Sequence, residues 1–143
     1  MQINNPTDLS SERDLTEEEL IYKENIIDHY KHPHNKGKLS EFSHTSKGIN
    51  PLCGDHVVLY LQIENDSVVD VSFEGDGCAI SQASASLLTD FIKQKKITQL
   101  QQLSKNDVYA LLGIPISHTR EKCATLSLKT MQAAVKNLIQ NSN

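Results

Sequence analysis

The sequence predicts an α+β domain. Three observations carry that expectation: a helical pattern comes first, two strand-like runs joined by turn formers follow, and helical patterns fill the second half. Strands and helices are segregated along the chain rather than alternating, which argues against a parallel α/β sheet. A length of 143 residues fits one domain. The expected organisation is a mobile arm over residues 1–15 and a single domain over residues 16–143.

The arm begins MQINNPTDLSSERD, which is polar, contains Pro6 and shows no period. Helical character starts at Thr16, which forms a capping-box pattern with Glu19 ahead of Tyr22, Ile26, Ile27 and Tyr30. That helix should run over residues 16–31 and stop before Pro33, where HPHNKGK reads as a loop. Residues 57–63 (VVLYLQI) and 68–73 (VVDVSF) are rich in β-branched and aromatic residues, and Glu64-Asn65-Asp66-Ser67 between them makes a hairpin. Residues 43–49 supply a candidate third strand of weaker period.

After the hairpin, Ile80, Ala83 or Ser84, Leu87 and Phe91 trace one helical stripe, and Ala124, Leu128, Met131, Val135 and Leu138 trace another. These two helices should cover one face of the sheet. Between them ITQLQQL and NDVYALL are helical patches, with Ser104 or Asn106 as a cap and Gly113-Ile114-Pro115 as the stop.

Composition excludes several classes. No run approaches the roughly 18 apolar residues of a membrane span. The N-terminus lacks the basic start, apolar stretch and cleavage site of a secretory signal, so the expected location is cytoplasmic, where disulfides seldom persist. Net charge is −4, and residues 1–19 alone hold six acids against Arg13, a charge of −5 that leaves the remainder near +1. A nucleic-acid module would show a clustered basic face; Lys93, Lys95 and Lys96 form the only dense group and read as a solvated helix end.

The three cysteines carry the chemistry. Cys53 lies in the Pro/Gly loop PLCGD, Cys78 follows Gly75-Asp76-Gly77 at the start of a helix, and Cys123 follows Arg120-Glu121-Lys122 at the start of the last one. Free N–H groups and the positive end of a helix dipole favour thiolate over thiol. Gly54, Gly75 and Gly77 crowd two of the cysteines, as expected where backbone must take unusual angles. Asp55 adds an oxygen ligand two residues after Cys53. A buried cysteine is also simply a small hydrophobe, and the gaps of 25 and 45 residues match no local zinc signature. Of the six histidines, His29, His32, His34 and His44 read as solvated, while His56 and His118 lie nearer the cysteine motifs.

PLCGD, FEGDGCAISQASAS (residues 73–86) and KCATL (residues 122–126) resemble the three cysteine motifs of the U-type iron–sulfur assembly scaffolds, the IscU, NifU N-terminal and SufU group. The helix end HYKHPHNKG (residues 29–37) is similar to that group's N-terminal signature. The resemblance implies a three-stranded antiparallel sheet with helices packed on it and a metal or cluster site at one exposed end. It also implies Cys53, Asp55, Cys78 and Cys123 as ligands of a transient [2Fe–2S] cluster or of Zn2+. The implied partners are a pyridoxal-phosphate cysteine desulfurase and apo iron–sulfur acceptor proteins, with Cys53 or Cys123 taking the persulfide.

Two subtypes stay open. REKCATL and Lys122, where the IscU-like scaffolds carry histidine, are similar to SufU, the zinc-dependent sulfur acceptor of a desulfurase. Yet the 45-residue gap before Cys123 has no room for the insertion usual in SufU-like proteins, which favours an assembly scaffold. Arg120 and Lys122 would stabilise thiolate or persulfide charge.

Overall fold

The computed structural model describes residues 14–136. The expected arm therefore lies almost wholly outside the described residues, as does Leu138. Helix α1 (Glu17–Lys31) is followed by strands β1 (His44–Asn50), β2 (Asp55–Glu64) and β3 (Ser67–Asp76). Helices α2 (Ala79–Ile92), α3 (Ile97–Gln102) and α4 (Lys105–Leu112), a 3-10 turn (His118–Arg120) and α5 (Glu121–Val135) complete the order. The strands form one antiparallel sheet in the order β1-β2-β3.

The capping box of α1 is present: Glu19 N–H donates to Thr16 Oγ1, and Thr16 N–H donates to Glu19 Oε1. Along β2, Val57, Leu59 and Leu61 are buried, the alternation expected of a strand with one face on the core. On β3, Val68 and Val71 are both buried although three positions apart. A register shift between Gln62 and Ile63 leaves Val69 as an extra residue and resets the parity. Helix α5 lies across β1 and β2, and α2 across β3. Gly48 lets α5 come close to β1, since a Cβ there would sit 2.1 Å from Thr130 Oγ1.

Helix α2 is the centre of the molecule, packed against β3, α1, α4 and α5. Its run of Ala and Ser lets those neighbours come close, and the hydroxyls find partners. Ser84 Oγ donates to the Ala124 carbonyl at 2.7 Å, and Ser86 Oγ meets His29 Nδ1 at 2.7 Å while accepting the His34 N–H at 2.8 Å. Two expectations need correction here. The apolar stripe on α2 is carried by Leu88 and Ile92, which are buried, while Phe91 is 37% exposed beneath the Lys95 ammonium. A helix contacted on nearly all sides shows no single stripe from which to read its phase. His29 is not solvated: it is buried against α2, and burial, reinforced by the charge of His34, lowers its pKa.

The outer edge of β3 is occupied at two places. Phe73 N–H donates to the Asn35 carbonyl and Gly37 N–H to the Phe73 carbonyl, and Val68 exchanges a similar pair with Gln94 and Lys95.

Candidate metal centre

The turn between β1 and β2 carries Cys53, exposed at its tip. Asp55 opens β2 and is 1% exposed. Cys78 is the N-cap residue of α2, and Cys123 is the third residue of α5 and fully buried. Strand pairing brings these parts together, because Asn50 and Asp55 form the last rung of the β1–β2 ladder and His56 faces Asp76 on β3.

The sulfurs of Cys53 and Cys123 stand 3.4 Å apart. With an Asp55 carboxylate oxygen they form a set whose ligand atoms all lie within 4.8 Å of one another. Cys78 borders that set: its Sγ is 4.0 Å from Asp55 Oδ2, and its N–H donates to Asp55 Oδ1 at 2.8 Å. Gly77 makes this approach possible, since at φ +153° a Cβ would lie 2.4 Å from Asp55 Oδ1.

Only Cys53 of the four is exposed; Cys78 is half-buried, while Asp55 and Cys123 are sealed beneath the turn. The expected thiolate at Cys123 is corrected too. Burial pushes its thiol well up, and the hydrogen bond with Cys53 and the charges of Cys78 and Asp55 act the same way. A helix N-terminus contributes about 0.3–1 kcal/mol to an anion, too little to offset that desolvation. A bound cation would invert this balance, since a coordinating thiol is deprotonated. Three thiols, soft donors, with one hard and exchangeable carboxylate suit Zn2+ or iron with sulfide.

Lys122 is exposed at the second position of α5, on the rim of a groove of about 210 Å³ shared with Pro51, Leu52 and Lys129, and Arg120 is half-buried at the N-cap. His56 is half-buried in β2 and His118 lies in the 3-10 turn. Asn50 was missed by the sequence reading. It is buried, and its Nδ2 donates to Asp55 Oδ2 at 3.4 Å and to Cys123 Sγ at 3.6 Å.

The sequence matches the family described as NifU-like N terminal domain over residues 21–143. The chain belongs to that family. This NifU-like domain is 38% identical over 134 residues to the zinc-dependent sulfurtransferase SufU of Bacillus subtilis, covering 82% of this chain and 90% of the relative. It is 32% identical over 135 residues to the iron–sulfur cluster assembly scaffold protein IscU of Thermotoga maritima, covering 83% and 95%. The crystal structure of a nitrogen-fixing NifU-like protein (N-terminal) from Brucella abortus superposes with a TM-score of 0.68 at 20% identity, covering 84% and 95%. That likeness bears out the α+β fold with its three-stranded antiparallel sheet. Among the described residues no helix is long and apolar enough to cross a membrane.

Proposed function

We propose that this NifU-like domain is an iron–sulfur cluster assembly protein that accepts sulfur from a cysteine desulfurase and builds and passes on a [2Fe–2S] cluster at Cys53, Asp55, Cys78 and Cys123. The observation that carries the reading is the meeting of Cys53, Cys123 and Asp55 within 4.8 Å, with Cys78 on their border. A structural zinc site is usually closed by four Cys or His ligands; this set contains a carboxylate and has one ligand in solvent.

Exposure favours Cys53 over Cys123 as the sulfur acceptor. In that step the Cys53 thiolate attacks the outer sulfur of the desulfurase persulfide. The old S–S bond breaks, a new one forms on Cys53, and the desulfurase cysteine leaves as thiolate. The sulfur on Cys53 becomes cluster sulfide only when an external two-electron reductant cleaves that new S–S bond and returns the Cys53 thiolate; the carboxylate of Asp55 beside it is the most readily displaced ligand of the four.

The second reading is a zinc-dependent sulfur acceptor, favoured by the identity to the Bacillus protein and by Lys122. Metal and sulfide analysis of anaerobically purified protein, with its visible spectrum, separates the two. Colour with acid-labile sulfide supports assembly, and colourless protein with one zinc per chain supports the sulfur acceptor. Protein that binds neither metal under reconstitution refutes both.

A further inference from the structure

We infer that Asn50 is a positioning residue of this centre: its side-chain amide holds Asp55 and Cys123 in the arrangement that lets their ligand atoms meet. The inference rests on the ligand set proposed above. Asn50 is the last residue of β1, 5% exposed, and directly opposite Asp55 in the ladder. Its Nδ2 carries two hydrogens, and two acceptors face it: Asp55 Oδ2 at 3.4 Å and Cys123 Sγ at 3.6 Å. Both belong to the metal set.

An asparagine ahead of a turn ordinarily bonds backbone two residues on. Here the turn is closed by main-chain atoms alone, Cys53 N–H donating to the Asn50 carbonyl at 3.2 Å, a bond that any residue at position 50 could make. The side chain is left for a different use, and burying an amide is unfavourable unless it is hydrogen-bonded.

Chemistry explains why an amide suits this place. Its N–H groups favour the anionic forms of both neighbours without adding a charge of their own. Its nitrogen lone pair is delocalised, so it does not compete with sulfur for a soft metal. The two anchors also come from distant parts of the chain, β2 and the start of α5. Fixing them together aims the Cys123 sulfur at Cys53, which sits on a turn and has freedom to close onto it. Groups that orient metal ligands in this way typically change affinity on the order of 10- to 100-fold when removed.

The test uses the full chain, reduced and metal-free, titrated anaerobically with Co2+. Its thiolate-to-cobalt and d–d absorption bands report ligand identity and geometry. Asn50→Ala should lower Co2+ affinity on the order of 10- to 100-fold and alter the d–d bands, a spectral change that the loss of a buried hydrogen bond from the metal-free fold would not itself produce. Asn50→Leu has a similar shape but neither a donor nor a ligand atom, and should lose as much affinity. If Asn50→Ala does not fold, Asn50→Leu decides alone. Affinity and bands equal to wild type in the folded variants overturn the positioning role. A wild type without thiolate-to-cobalt absorption, or one unaffected by Cys123→Ser, overturns the ligand set instead.

Discussion

Replacing Gly77 by alanine should loosen the candidate metal centre from the backbone side. At φ +153° an L residue is strained, which costs about 1–3 kcal/mol. The new Cβ would also lie 2.4 Å from Asp55 Oδ1 and 2.7 Å from Ser81 Oγ, so the carboxylate must move. Moving it breaks the 2.8 Å hydrogen bond from Cys78 N–H, and a bond to a charged group contributes about 1.5–3 kcal/mol. Together these losses reach about 2.5–6 kcal/mol, a fall in melting temperature of roughly 8–20 °C for a domain of this size. Circular dichroism melts of metal-free protein measure it. A double-mutant cycle with Asp55→Ala tests the cause, because that change removes the same hydrogen bond and relieves the clash. The double variant should therefore lose about 1.5–3 kcal/mol less than the sum of the singles. Additivity within about 0.5 kcal/mol would refute the claim that Gly77 acts through Asp55.

Burial lowers the His29 pKa from 6.5, so below that pH the unfolded chain binds a proton that the folded one resists. Stability should be fully present above pH 6.5 and fall as pH drops toward the folded value. His29→Gln should flatten the melting-temperature profile between pH 7 and 5, and an unchanged slope would exclude His29 as its source. Chelation should leave a folded protein with a looser turn at Cys53, because Leu59, Phe73, Leu88 and Met131 belong to a large apolar core in which Cys123 is the only fully buried member of the proposed ligand set. Complete loss of far-ultraviolet dichroism on chelation would make the site structural in the zinc-finger sense. Lys122→His should raise retention of a bound cluster, since imidazole can ligate and an ammonium cannot. Equal cluster yield in parallel reconstitutions would remove this position from the choice of metal.

What the chain disclosed in advance depended on which residue types fill each element's buried positions. Helix α5 has neighbours on several sides as well, yet its large apolar residues Leu128, Met131 and Val135 fall at helical spacing, so with Ala124 they were readable from period alone. Helix α2 fills most of its buried positions with Ala and Ser, which give little apolar signal, so its phase was misread by one residue, Leu87 and Phe91 standing in for Leu88 and Ile92. Strand β1 is polar and contains Lys47 and Gly48; its pairing with β2 and the approach of Thr130 make it a strand, and neither is local. The cysteines were legible because glycines and element junctions surround them. Asn50 was not, since an Asn-Pro pair before a turn looks like turn chemistry until Cys123, 73 residues away, arrives beside it. His29 was hidden likewise, its partner Ser86 lying 57 residues downstream.

The occupied edge of β3 bears on how the molecule meets others. Asn35, Gly37, Gln94 and Lys95 already use main-chain groups of Phe73 and Val68, so a foreign strand finds little to zip onto there. Among the described residues nothing pairs with the far side of β1, which makes it the edge open to strand addition. That edge runs into the turn bearing Cys53; its first half, His44-Thr45-Ser46-Lys47, is hydrophilic with a charge at the strand's centre, while Ile49 and Leu52 beside the turn are exposed apolar side chains. Such composition discourages self-stacking. Strand addition is thereby discouraged along the first half of this edge, and the apolar surface it leaves open lies beside the exposed Cys53.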